Sequence, residues 1–276
     1  MHWQQILRII EERPRGEFPT LDCERQFSTR FNKNPQRITY DKLMRRNFSI
    51  PEDGSLLGYF DDVHGTCGDD ALAYYRPFHG PRNDWGIHIL EAGVDYLATR
   101  IGNLAERDNI NLSRLDVEYL AKHKLLLHEL GHHAVEISHS LLEINPDHPI
   151  RDSYRRYRRA KQNEQMLHEN EEAVCNWNVK KKKRHFKIRA QNYYDVTRDF
   201  MLNYQPDGYK HFEKIAPRNY LKNIMVPDPR LPQETKSSLK KQFTIHSRLS
   251  MVKPFTKKKE EKAFQVPIYL IRTGKH

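Results

Sequence analysis

The chain has 276 residues, of which 37% are hydrophobic and 30% are charged, and its formal net charge is +11. This composition allows a hydrophobic core beneath a strongly charged surface, and it excludes a collagen-like, mucin-like or acidic disordered chain. No run of about 18 apolar residues is present, which excludes a helix that spans a membrane. The length predicts one large domain, or one domain with appendages.

The charge is distributed unevenly along the chain. The first 150 residues carry a net charge of −6, whereas the last 126 carry +17. This asymmetry favours an acidic partner for the second half, such as nucleic acid or an acidic protein. Basic clusters at residues 155–161 and 180–184 could contact phosphates. A solvated basic face explains the same pattern, so both interpretations stay open.

Cysteine usage predicts the compartment. Cys23, Cys67 and Cys175 are an odd number at no metal-binding spacing, so we expect no disulfide framework and a reducing compartment. Residues 1–12 contain no apolar segment of signal-peptide length. The sequence therefore predicts a cytoplasmic protein without a membrane partner.

The first half of the chain predicts several elements in order. A short amphipathic helix is expected over residues 3–12. Residues 58–84 are rich in Gly, Pro, Asp and His and predict a loop. Residues 85–90 predict a strand, which would either receive an extended substrate at a sheet edge or lie in the core. Apolar periodicity predicts helices over roughly 91–107 and from 115 to about 143.

The second half predicts fewer elements. A further helix is expected to begin at Asp152 or Ser153 and to run into the basic cluster at 180–184. The last 75 residues contain seven prolines and are predicted to be irregular, with one strand over 265–272.

One motif carries the prediction of chemistry: His128-Glu129-Leu130-Gly131-His132, in an apolar helical context. Residues i and i+4 share one helix face, so the two imidazoles can hold one Zn²⁺. The ion would lower the pKa of a bound water to about 7. Glu129 is then predicted as the general base that takes a proton from this water and passes it to the leaving amine.

A tetrahedral zinc site with two His and one water is one protein ligand short. His139 is seven residues beyond His132, about 10.5 Å along the helix axis, which is too far. Glu172 on a second helix is the preferred third ligand, and Asn176, one turn later, is expected to hydrogen-bond a metal-binding His. The alternatives for the third ligand are Glu171, Glu169 and His148.

The motif followed by Glu172-Ala173-Val174-Cys175-Asn176 resembles the gluzincin-type zinc metallopeptidases, and most closely the ImmA/IrrE family. In that family an H-E-L-G-H helix precedes a helix with E-x-x-A-N, and Cys175 stands where Ala is usual. The resemblance covers about residues 115–180. It implies an α+β, mainly helical fold: a minimal zincin core of an active-site helix, a glutamate helix and a small sheet, plus N- and C-terminal appendages. It also implies a cytoplasmic endopeptidase that cleaves DNA-bound repressors.

These observations divide the chain into three predicted regions. Residues 1–80 form a loop-rich N-terminal region, residues 81–200 the zincin-like metallopeptidase core, and residues 201–276 a basic, partly irregular extension. The oxyanion stabiliser of the peptidase is left open among His185, Tyr193, Tyr194 and an Arg.

A second resemblance competes. His148-Pro149 lies 16 residues after His132, just before a predicted helix. This is similar to the third-ligand position of SprT-like proteases, where Gly typically follows the His. The resemblance implies a protease that acts on proteins bound to DNA, with His148 as the third ligand.

The primary prediction is a zinc-dependent metalloendopeptidase that hydrolyses an intracellular protein, such as a DNA-bound repressor. The alternatives are the SprT-like protease, a nucleic-acid- or partner-binding protein with a structural zinc site, and a hydrolase of small-molecule amides. His64, Cys67 and His79 could also bind a second metal ion, but a polar loop is the preferred interpretation of these residues.

Overall fold

The computed structural model describes residues 35–48, 54–77, 85–143, 154, 157, 165–181, 190–215 and 266–272. In this part of the chain the fold is α+β and mainly helical, as the sequence predicts. The helices are α1 (Tyr40–Arg45), α2 (Gly54–Cys67), α3 (Glu91–Arg107), α4 (Arg114–Glu143), α5 (Gln165–Lys181), α6 (Ala190–Asn203) and α7 (Asp207–Lys210). The strands are β1 (Gln36–Ile38), β2 (Ala73–Arg76), β3 (Gly86–Leu90) and β4 (Ile268–Ile271). Two short 3-10 helices cover Gly68–Ala71 and His211–Glu213.

The four described strands form one mixed sheet in the order β1-β4-β3-β2. β3 pairs in parallel with β4 and antiparallel with β2, and β4 pairs antiparallel with β1. Every residue of β3 is buried. The strand predicted over residues 85–90 is therefore confirmed as a core strand, and its alternative position at a sheet edge is wrong. β4 confirms the strand predicted over 265–272.

The helices predicted from apolar periodicity are the most accurate part of the sequence interpretation. α3 has the predicted bounds, and α4 begins one residue before the predicted start. The buried positions of α4 include Leu120, Leu127 and Leu130, which recur at helical spacing. The helix predicted over residues 3–12 and the start of the helix predicted from residue 152 lie outside the described residues.

The loop predicted over residues 58–84 is wrong for its first ten residues, which belong to α2, and again where the 3-10 helix at Gly68–Ala71 and strand β2 follow. Gly and Asp lower the helix propensity of this segment, but tertiary packing compensates. The ring of Phe60 lies 5.5 Å from that of Tyr96 on α3, and the ring of His64 lies 5.5 Å from that of Phe200 on α6. Helix α2 is thus held against the core by contacts that its own sequence does not reveal.

One hydrophobic core joins all three of the predicted regions. It includes Leu43 and Phe60 from the first region, Leu97 from the second and Leu270 from the third. The boundaries near residues 80 and 200 stay predictions, but the described parts of the three regions share one sheet and one core. None of the described helices has the length and apolar character needed to span a membrane.

The described cysteines differ in state. Cys67 is disulfide-bonded, with a partner outside the described residues, and Cys175 is a buried free thiol. The sequence predicts no disulfide framework, and it gives no sign of this single bond. Disulfides are typical of oxidising compartments, so this bond does not favour the cytoplasmic location, which stays a prediction.

Helices α4 and α5 approach each other closely at Gly131. A Cβ atom at this position would lie 2.8 Å from the Sγ atom and 2.9 Å from the Cα atom of Cys175. The side-chain amide of Asn178 on α5 also donates to the carbonyl oxygen of Leu127 on α4, at 2.7 Å. These contacts set the face of α4 that bears His128 and His132 against the acidic face of α5.

We expect Gly131→Ala to lower the free energy of unfolding by about 1–3 kcal/mol, because the added methyl group forces the two helix backbones apart. The matched control is Gly102→Ala in α3, where the nearest atom, a Val117 methyl, is 4.0 Å from the added Cβ. This control should gain up to about 1 kcal/mol in helix propensity. Urea unfolding of both variants checks the pair, and equal stability of the two would contradict the close helix contact.

Candidate metal centre

Three elements bring polar side chains to one buried place in the fold. Helix α4 supplies the motif residues, helix α5 supplies an acidic pair and an amide, and the 3-10 helix at Gly68–Ala71 supplies two aspartates. The residues that meet there are His128, Glu129, His132, Glu171, Glu172, Asn176, Asp69 and Asp70, all of them buried.

His128 and His132 lie on one face of α4, with ring centroids 5.1 Å apart. The Nε2 atoms of both rings point at the same oxygen, Oε2 of Glu172, at 3.0 Å from His128 and 3.3 Å from His132. Ligand atoms bound tetrahedrally to zinc at 2.0–2.1 Å are separated by about 3.3 Å. The distances from Oε2 of Glu172 to the two Nε2 atoms therefore fit ligands to one metal ion.

Side chains of α5 form hydrogen bonds with the Nδ1 atoms of both rings. Nδ1 of His128 donates to Oδ1 of Asn176 at 3.0 Å, and Nδ1 of His132 donates to Oε1 of Glu171 at 2.7 Å. The orientation of the Asn176 amide follows from its NH2 group, which donates to the carbonyl oxygen of Tyr209 at 3.1 Å. With hydrogens on both Nδ1 atoms, each Nε2 presents a lone pair to Glu172.

This arrangement requires positive charge at its centre. Two imidazole lone pairs and a carboxylate oxygen that face one another at 3.0–3.3 Å repel unless a proton or a metal cation lies between them. Burial acts to lower the pKa of His128, but the carboxylates of Glu172 and Asp69 raise it overall. Nitrogen and carboxylate donors of this kind suit a divalent transition-metal ion.

The structure separates the predicted third ligands. Glu172 shares the Nε2 side of both rings, whereas Glu171 contacts the opposite nitrogen of His132 and accepts a 2.7 Å hydrogen bond from the Tyr157 hydroxyl. Glu169 packs its side chain against Gly208 of α7 instead. His148 lies outside the described residues. The roles of Glu172 as ligand and Asn176 as orienting residue stay predictions, now with a geometry that fits them.

Cys175 offers a second three-ligand set with His128 and His132. Burial raises the pKa of the Cys175 thiol to about 12, and His132 opposes this only in part. Because the thiolate is the form that binds metal, the carboxylate of Glu172 is the better third donor.

Sequence reasoning missed Asp69 and Asp70. One ligand atom each of Asp70, His128, His132 and Glu172 lies within 4.8 Å of the others. Asp69 approaches His128 from the other side, with Oδ2 at 3.4 Å from Nδ1. The pair Asp69-Asp70 follows a glycine in a Gly- and Asp-rich segment, which has the same appearance as a turn, so its spacing gave no sign of a site.

Asp69 is one half of a fully buried ion pair with Lys124, which lies one helical turn before His128. His64 on α2 also faces Asp69, with Nε2 at 3.7 Å from Oδ1. Burial alone would raise the pKa of Asp69, but Lys124 and His64 hold it well below its usual range. Asp69 is therefore ionised behind His128. His64 belongs to this network, and its predicted partner His79 lies outside the described residues.

Glu129 is fully buried beside the cluster, and neither of its carboxylate oxygens has a hydrogen-bond partner within the described part of the chain. Burial and the nearby Asp70 raise the pKa of Glu129 to about 8, while His128 and His132 act in the opposite direction. A carboxyl group poised near neutral pH can both accept and release a proton.

No family model, no curated protein and no solved structure matches this chain. The relation to the ImmA/IrrE and SprT-like groups therefore rests on the motif residues alone and stays a prediction. The side chains of His185, Tyr193 and Tyr194, offered as oxyanion stabilisers, lie outside the described residues, as does the basic cluster at 155–161 apart from Tyr157.

We expect Lys124→Met to lower the free energy of unfolding by about 3–5 kcal/mol, because it leaves the ionised Asp69 buried without its counter-charge. The matched control is Lys210→Met, which removes an ion pair between Lys210 and the exposed Asp207 and should change stability by less than about 0.5 kcal/mol. Adding Asp69→Asn to Lys124→Met should restore part of the loss. Chemical denaturation of the three variants measures these differences, and equal effects of the two lysine substitutions would refute the buried pair.

Proposed function

We propose that this protein is a zinc-dependent peptidase, in which His128, His132 and Glu172 hold the ion and Glu129 is the general base. The observation that supports the proposal most is the convergence of two Nε2 atoms on one oxygen of Glu172, at 3.0 and 3.3 Å. Glu129, next to the first of these histidines, is buried without a hydrogen-bond partner in the described part of the chain, which costs free energy. A role in proton transfer would explain why a glutamate stands there despite this cost.

Zinc, when bound, would supply the Lewis acidity that makes water a nucleophile at neutral pH. The chain's own residues then divide the remaining work. Glu129 accepts a proton from the attacking water and delivers it to the leaving nitrogen. Asn176 and Glu171 hold the two imidazole rings in one tautomer, so that neither Nε2 atom carries the hydrogen.

An extended peptide is the substrate class that the sheet supports best. Among the described strands, β2 lies at the edge next to β3. Its Tyr75 hydroxyl donates to Glu136 of α4 at 2.6 Å, so this edge runs beside the helix that carries the motif. A peptide that adds to β2 by main-chain hydrogen bonds would therefore lie close to the metal centre. β2 takes the role that the sequence offered to residues 85–90.

The ImmA/IrrE resemblance implies that the protein substrate is a DNA-bound repressor. It also implies that the protein acts in the cytoplasm. The net charge of +17 in the last 126 residues supports contact with nucleic acid or with an acidic partner. A nucleic-acid- or partner-binding protein with a structural zinc site is the second candidate function. The two functions differ in whether they require Glu129, since a structural zinc site needs no general base.

The metal should be measured first. We expect elemental analysis of the purified protein to find about one zinc per chain, lost in Glu172→Ala. Glu171→Gln should keep the ion with an affinity lower by about 10–100-fold, because it removes the carboxylate that accepts a hydrogen bond from His132 and not a metal ligand. Glu169→Ala is the matched control and should bind like the wild type. Loss of zinc in His148→Ala but not in Glu172→Ala would transfer the proposal to the SprT-like class.

Glu129→Gln separates the two candidate functions. We expect it to keep zinc but to lower the cleavage rate of an unfolded protein such as casein by at least about 10²-fold, because the amide cannot accept a proton. Glu106→Gln, at an exposed position of α3, is the matched control and should cleave like the wild type. Full proteolysis by Glu129→Gln would exclude it as the base. Salt-sensitive DNA binding, with no proteolysis by any variant, would instead support the binding protein.

A further inference from the structure

The 3-10 helix at Gly68–Ala71 brings Asp70 close to the three atoms that the proposed site assigns to the metal ion. Its Oδ1 atom lies 3.8 Å from Nε2 of His132, and it belongs to the same group of mutually close ligand atoms as His128 and Glu172. Catalytic zinc sites have three protein ligands and one open position, whereas structural sites have four protein ligands. With Asp70 included, the donor set of this chain has four members.

The distances agree with a fourth ligand. Tetrahedral bonds of 2.0–2.1 Å place ligand atoms about 3.3 Å apart. Oδ1 of Asp70 lies 3.8 Å from Nε2 of His132, and the four ligand atoms all lie within 4.8 Å of one another. A shift of roughly 0.5 Å brings Oδ1 of Asp70 to the ideal distance from Nε2 of His132. The side chain is 9% exposed, so it faces the cluster rather than solvent.

The backbone on the N-terminal side of Asp70 is fixed. Gly68 has a φ of +59°, and a Cβ there would lie 2.4 Å from the ring of Tyr209. The Tyr209 hydroxyl in turn donates to the carbonyl oxygen of Cys67 at 2.8 Å. The next residue, Asp69, is held by Lys124. These contacts fix the position of the turn from which Asp70 reaches the cluster.

Charge favours the same assignment. Asp70 lies close enough to Glu129 for the two carboxyl groups to interact electrostatically, and Glu172 is a third acid at this place. His132 forms ion-pair contacts with both Asp70 and Glu172, and His128 forms one with Glu172. Three buried carboxyl groups around two imidazoles are stabilised by a divalent cation that binds more than one of them.

We propose that Asp70 is the fourth protein ligand of the metal centre, so that the chain as folded holds its ion in a closed site. This inference rests on the proposed function in one respect: the peptidase is latent, because water gains the fourth position only when the Asp70 carboxylate leaves it. In that state Glu129 would have no activated water from which to accept a proton. Asp70 would therefore act as a regulatory ligand.

The Co²⁺-substituted full chain tests the ligand assignment without reference to activity. Azide binds a metal ion that has an open or water-filled position and changes the visible Co²⁺ spectrum. We expect no change on azide addition to the wild type and a saturable change in Asp70→Ala. Asp62→Ala, at an exposed position of α2, is the matched control and should behave like the wild type. Asp70→Ser is the second variant, for use if the alanine variant does not fold.

The outcomes separate the two proposals. Equal azide responses of the wild type and both Asp70 variants would overturn the fourth ligand, and so would a failure of the wild type to bind Co²⁺. The expected spectra together with no proteolysis by any zinc-loaded variant would uphold the fourth ligand and refute the peptidase. If both proposals hold, zinc-loaded Asp70→Ala cleaves an unfolded protein about 10–100-fold faster than the wild type, as expected when the open state is about 1–10% populated.

Discussion

The close contact of helices α4 and α5 at Gly131 and Cys175 is the constraint on which the candidate metal centre depends. With the backbones this near, a carboxylate of α5 reaches the Nε2 atoms of both histidines on α4, while Asn176 and Glu171 reach their Nδ1 atoms. A larger residue at position 131 would move all of these atoms together, because they share two rigid helices. Helix packing therefore explains the glycine of the H-E-L-G-H motif.

A second layer of buried polar groups makes this arrangement specific. Lys124 and Asp69 form an ion pair with no solvent exposure, which contributes little net stability but leaves a large penalty if either partner is removed. The pair fixes the 3-10 helix at Gly68–Ala71 against α4, directly behind His128. Its position indicates that the ion pair serves the geometry of the site more than the stability of the fold, since an apolar pair would fill the same volume at lower desolvation cost.

The sequence predicts the parts of this structure that depend on local patterns. Apolar periodicity located α3 and α4 to within a residue, and the spacing of the motif and of Glu172 to Asn176 identified side chains that the fold brings together. It could not locate Asp70 or α2, because the evidence for them lies in tertiary contacts: Phe60 against Tyr96, and Gly68 beneath the ring of Tyr209. It also could not assign β3 to the sheet interior, since the flanking strand β4 comes from residues 268–271, far along the chain.

A closed four-ligand site would by itself be typical of structural zinc, and Glu129 is the argument against that interpretation. A structural site gains nothing from a further acidic side chain that is fully buried and lacks a hydrogen-bond partner within the described residues. Such a group costs desolvation free energy and raises electrostatic repulsion against Asp70 and Glu172. The cost is understandable if Glu129 acts on a water that takes the place of the Asp70 carboxylate. An aspartate near the candidate ligand atoms, together with a buried glutamate that has no hydrogen-bond partner within the described residues, is the pattern expected of the latent centre proposed above.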